Sequence, residues 1–127
     1  MKVFKLLLLL LFISVSTYGQ ETDSRFVAKW QQREESGSDG ANKYTVPVKN
    51  GPVIIFAEDN GVTYNGAKGK YIIGEGNKLT IDLEKDKHHF LFSFGKNNTI
   101  LYLTPVTSGF QIICDEGCAD IFYKASN

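Results

Sequence analysis

Lys78-Leu79-Thr80-Ile81-Asp82-Leu83-Glu84 alternates polar and apolar residues without a break. Successive strand residues point to opposite faces, so Leu79, Ile81 and Leu83 share one face and the polar residues take the other. This is the pattern of a strand with one buried face. The next apolar stretch repeats it: Phe90, Phe92 and Phe94 fall on a single face, after the charged turn Glu84-Lys85-Asp86-Lys87. Outward from this pair, strands are expected near residues 26–32, 44–48, 53–58, 62–64, 70–73, 78–83, 88–94, 99–104, 110–114 and 119–124.

The links between these strands are short. Gly74-Glu75-Gly76-Asn77 and Gly95-Lys96-Asn97-Asn98 each join neighbours over a few residues, and Asn60-Gly61 can supply the two positive-φ residues of a tight hairpin. Short links force sequential strands to pair antiparallel, because a parallel pair needs a crossover of a dozen residues or more. No 12-residue stretch after Gln20 carries a helical stripe. The expected fold is therefore all-β, a single antiparallel up-and-down barrel of about eight to ten short strands, since closure removes exposed edges. The stretch 33–43 is polar and rich in Ser, Gly, Asp and Glu, and 33–42 within it reads as a mobile loop.

The chain opens differently. Lys2 and Lys5 precede the apolar run Leu6 to Ile13, and Thr17-Tyr18-Gly19 places small residues before Gln20. That run is about half of the roughly 20 residues a membrane span needs. It matches an export signal cut after Gly19, leaving residues 20–127 as one domain with no membrane span. No cysteine lies near the cut to take a lipid anchor. The chain has 14 basic and 14 acidic residues, and the leader holds two lysines and no acid, so the remainder is 12 − 14 = −2. Such a balance gives no electrostatic footprint for nucleic acid or an anionic membrane.

Both cysteines lie in Cys114-Asp115-Glu116-Gly117-Cys118. The three intervening residues have the form of a hairpin loop that sets Cys114 opposite Cys118, and export makes a disulfide the default. A redox pair is disfavoured, because that chemistry uses two intervening residues at a helix N-terminus. A zinc site lacks nearby histidine and four-ligand spacing. His88 and His89 are adjacent on a strand and point to opposite faces, so no bound metal is expected there. No Gly-x-Ser-x-Gly elbow, His-Glu-x-x-His helix or phosphate loop is present, so neither an enzyme nor a cofactor is expected. Asn97-Asn98-Thr99 has the form of a glycosylation acceptor but reads as turn composition.

Aromatic residues make up 13% of the chain, and they carry what functional signal there is. Trp30, Tyr71, Phe92 and Tyr102 are singled out as pocket or core aromatics. Three blocks resemble the small lipocalin-like, calycin-type domains of secreted Bacteroidetes proteins. They are Ala28-Lys29-Trp30, then Gly69-Lys70-Tyr71-Ile72-Ile73 with Asn77-Lys78-Leu79-Thr80-Ile81, and finally Ile100-Leu101-Tyr102-Leu103-Thr104-Pro105 with the cysteine pentapeptide. The leader's Tyr18-Gly19-Gln20 is similar too. The resemblance implies a barrel that takes a small apolar ligand at its open end. The expected protein is a monomeric, periplasmic or extracellular, non-enzymatic binder of a small apolar or amphipathic ligand. The alternative is a protein-interaction module, such as an envelope inhibitor or immunity-type protein, contacting its partner through 34–42 and the cysteine hairpin. The large inward groups Trp30, Leu79, Ile81, Leu83, Phe90, Phe92 and Phe94 should leave at most a small cavity near one end.

Overall fold

A computed structural model describes residues 23–114 and 117–126. The export signal, its cut after Gly19 and the hairpin turn expected at Asp115 and Glu116 lie outside the described residues. Among the described residues, nine strands form one antiparallel sheet: β1 (Ala28–Ser38), β2 (Lys43–Pro47), β3 (Val53–Phe56), β4 (Gly61–Tyr64), β5 (Ala67–Gly74), β6 (Lys78–Leu83), β7 (Lys87–Gly95), β8 (Ile100–Pro105) and β9 (Ala119–Lys124). β1 also pairs with β9, so β1 and β3 to β9 close an eight-stranded up-and-down barrel. β2 stands outside that ring.

The first strand makes this possible by serving two partners along one edge. Ala28 to Gln31 pair with β3, and Glu34 to Ser38 pair with β2. A bulge between Gln32 and Glu34 marks the change, and a bulge bends its strand and sharpens the twist. The second half of β1 and all of β2 thus form a hairpin that extends the barrel wall as a flap. The mobile loop expected over 33–42 is corrected here. Its polar residues pair as strands because β2 is exposed throughout, and pairing satisfies the backbone without apolar side chains. Only the tip is a turn, held by Asp39, whose carboxylate accepts from the backbone N–H of Ala41 (3.1 Å) and Asn42 (2.8 Å).

Two further expectations change. The strand expected at residues 110–114 does not form: Gln111, Ile112 and Ile113 are exposed, and Ile112 makes only an isolated bridge to Val106. β8 and β9 already pair with each other and with their outer neighbours, so no sheet edge remains for it. The tight two-residue hairpin is also not at Asn60-Gly61. Gly61 already pairs with Lys70 in β4, while Asn65 (φ 47°) and Gly66 (φ 90°) make the turn between Tyr64 and Ala67. Both central residues at positive φ is the signature of the turn that matches strand twist.

The core fills the barrel. Phe26 precedes β1 in a turn closed by the Phe26 N–H to Asp23 O (3.1 Å), and it plugs one end. Its ring meets those of Phe92 (4.8 Å), Phe94 (4.9 Å) and Phe56 (5.1 Å) edge-on. Trp30 is fully buried and donates from Nε1 to the Phe26 carbonyl (2.8 Å), tying plug to wall. The Arg25 guanidinium caps this end, 4.5 Å from the Phe94 ring centre and paired with Asp23 at 2.6 Å. Leu79, Ile81, Leu101, Leu103 and Phe122 complete the interior.

Candidate functional site

The end opposite the Phe26 plug is built differently. His88 opens β7 and stacks on Tyr64 of β4, with ring centres 4.9 Å apart and planes within 16°. Two strands separate β4 from β7 in the sheet, so this contact crosses the barrel interior and fixes His88 as inward-facing. Phe90 lies beneath it at 6.3 Å. His89 points the other way, its Nδ1 3.2 Å from Thr80 Oγ1 and its ring edge-on to Phe110 at 5.3 Å. Past β8 the chain turns back over this rim, with Val106 donating to the His89 carbonyl at 3.0 Å. Between rim and returning loop lies an open cleft of about 580 Å³, walled by His88, His89, Phe90, Pro105, Val106 and Ile113. Lys87 and Ser108 also line it, so its walls offer apolar contact beside histidine, lysine and serine, a combination suited to an apolar body with a polar end.

Just inside this mouth the barrel is polar. Gln32 is buried and donates from Nε2 to Asp120 Oδ1 (3.2 Å) and to the Glu34 carbonyl (3.3 Å). Burial pushes the Asp120 carboxyl above the usual carboxylate range; the Glu35 carboxylate adds to this, and the Gln32 bond partly opposes it. Burial, with Asp120 adding to it, also raises the Tyr64 hydroxyl. Native Asp120 therefore holds its proton more tightly than the unfolded chain does. Stability from this residue is present in acid and is lost as pH rises through its raised pKa. Asp120→Asn keeps an acceptor for Gln32 and removes the charge. Its melting temperature should exceed that of the parent at neutral pH and match it in acid, as read by circular dichroism. An equal offset at both pH values would contradict this.

A second concavity lies on the outer wall. β8, β9 and the flap enclose a groove of about 360 Å³ whose lining includes Glu34, Ser36, Lys43, Thr45, Tyr102 and Tyr123. The Tyr123 hydroxyl donates to Glu34 Oε1. The Arg33 guanidinium sits 5.7 Å from the Tyr123 ring centre. By accepting a hydrogen bond from it, the Glu34 carboxylate holds the Tyr123 hydroxyl above the ordinary phenol range.

No family model, curated protein or solved structure matches this chain. Its function is therefore read from its own geometry. Of the four aromatics singled out in the sequence, Trp30, Tyr71 and Phe92 belong to the buried core. Tyr71 also donates its hydroxyl to the Ala57 carbonyl at 2.9 Å. Tyr102 is separated from them: it stands between inward-facing Leu101 and Leu103 and lines the outer groove. Sequence reasoning expected at most a small cavity near one end but named none of the rim cleft's lining residues as pocket residues, because the cleft forms where the ends of β7 and β8 meet a loop expected to be a strand. It also missed the outer groove, which exists only because 33–43 is a flap. The adjacency of His88 and His89 on a strand did indicate that their side chains take opposite faces of β7.

The five-residue cysteine spacing does predict its outcome. Cys114 and Cys118 are bonded to each other with Cα atoms 5.8 Å apart, and they close the tip of the loop that forms the cleft's outer wall. The closed ring is small, so Cys114→Ser with Cys118→Ser should cost about 2 kcal/mol or less. A urea titration reads that difference, and a larger loss would show the bridge to organise more than its own loop.

Proposed function

We propose that this chain is a secreted, lipocalin-like barrel of the Bacteroidetes type, exported to the periplasm or beyond. It binds a small apolar or amphipathic ligand without catalysis. The observation that carries the reading is the rim cleft. Its volume of about 580 Å³ falls within the roughly 300–1,000 Å³ typical of small-ligand sites. The barrel interior is filled by Phe26, Trp30, Phe92 and their neighbours, so the ligand sits at the mouth and not in the lumen. Phe90, Pro105, Val106 and Ile113 hold its apolar part, and His88 and His89 meet its polar end. The disulfide fits an oxidising compartment. Native mass spectrometry of protein purified from its own envelope or medium tests the proposal. A co-purifying small molecule of mixed polarity supports it, and a bare protein mass at every step counts against it.

The protein-interaction reading keeps one favourable observation. Tyr44 and Val46 on β2, and Ile112 and Ile113 on the cysteine loop, are exposed apolar groups, and such groups mark contact surfaces when they cluster.

A further inference from the structure

We propose that the outer groove between the flap and strands β8 and β9 is a second site, separate from the rim cleft, and that it takes a saccharide. Three observations lead there. The first is shape: the flap, continuing the wall of β8 and β9, bounds a groove of about 360 Å³, space for one or two sugar rings. The second is chemistry. Apart from Ile121 and Gly37 and Gly117, every lining side chain carries a polar atom. A purely apolar ligand would strip water from all of them without replacing its hydrogen bonds, at a cost for each. Yet Tyr102 and Tyr123 also present ring surface on the same outer wall, where Ile100 pairs with Tyr123 and Ile121 with Tyr102. A pyranose has both surfaces, hydroxyls around its rim and a C–H face that packs on an aromatic ring.

The third observation is charge. Lys43 and Glu34 are the only ionic side chains lining the groove among the described residues, and the Arg33 guanidinium stands beside the Tyr123 ring, so the site is of mixed charge and not a patch of one sign. Glu34 is held by the Tyr123 hydroxyl through Oε1 alone, and among the described residues its Oε2 has no hydrogen-bond donor. A fixed carboxylate with a spare oxygen accepts from vicinal sugar hydroxyls, and Ser36 and Thr45 can donate or accept beside it.

Amide chemical shifts in the folded protein test the proposal, with the methyl glycosides of glucose, galactose and mannose and with N-acetylglucosamine as probes at tens of millimolar. At least one probe should give saturable shifts centred on Glu34, Thr45, Tyr102 and Tyr123. Tyr102→Ala and Glu34→Gln should each weaken that binding about tenfold or more, while Tyr102→Phe retains it. An apolar dye bound at the rim cleft should be indifferent to all three substitutions, which separates this site from the proposed function. The absence of saturable shifts with all four probes would overturn the proposal. So would shifts confined to residues outside the groove, or binding that Tyr102→Ala leaves unchanged.

Discussion

Replacing Trp30 with alanine is expected to cost about 3–5 kcal/mol from the cavity and lost burial. Against a typical total of roughly 5–15 kcal/mol, this removes a large share of the stability. The size follows from what the indole touches. It is fully buried where β1 meets both β3 and β9, its register partners being Ile54 and Lys124. It also holds the Phe26 carbonyl through Nε1. Losing that donor leaves a buried carbonyl unpaired and frees the plug, whose ring packs on three other phenylalanines. Trp30→Phe separates the two contributions, since it keeps most of the apolar volume and loses only the bond, at about 1–3 kcal/mol. Trp30 is the only tryptophan of the chain, so unfolding is followed by circular dichroism. Alanine and phenylalanine variants of equal stability would show that the indole does not fill the space assigned to it.

Gly69→Ala should be the next most damaging change. A Cβ at this position would lie 2.2 Å from the Asp82 carbonyl oxygen and 2.9 Å from Leu83 Cδ2. The first neighbour is backbone of the adjacent strand and cannot rotate aside, so β5 and β6 must separate locally. Overpacking of a tight interior costs about 1–3 kcal/mol and occasionally more. Gly74→Ala, on the same strand, is the control. Its nearest atom would be Lys78 Cβ at 3.7 Å, an ordinary contact. With no strain to oppose it, the lost freedom of the unfolded chain should make this change neutral or stabilising by about 0.4–1 kcal/mol. Equal denaturation midpoints for the two variants would contradict the β5–β6 packing.

The contrast between these glycines also shows what a sequence can carry. The Leu79, Ile81 and Leu83 alternation depends only on adjacent residues, and β6 runs over Lys78–Leu83 as that pattern requires. The antiparallel order follows from link lengths, which are equally local. Tyr102 was legible in the same way: Leu101 and Leu103 flank it, so alternation alone places it opposite them. Gly69 is another matter, because its constraint comes from a carbonyl on a different strand. Phe26 reads as the first residue of a strand over 26–32, and nothing local marks it as the plug. The segment 33–43 misleads because its composition suits a loop, whereas the bulge after Gln32 and the free edge of β1 decide that it pairs. The rim cleft and the outer groove both depend on such distant pairings, so neither could be assembled from local pattern.

The central claim is that an apolar ligand binds at the rim cleft and not inside the barrel. Fluorescence titration with an apolar, environment-sensitive dye tests it most directly, comparing Ile113→Asp with Ile72→Asp. Both isoleucines are exposed, so neither substitution should unfold the protein. Only Ile113 lines the cleft, whereas Ile72 lies on β5. A carboxylate placed against a bound apolar surface must be desolvated without a partner. The account predicts that Ile113→Asp weakens dye binding about tenfold or more while Ile72→Asp leaves it unchanged. Equal affinity in the two variants would contradict it.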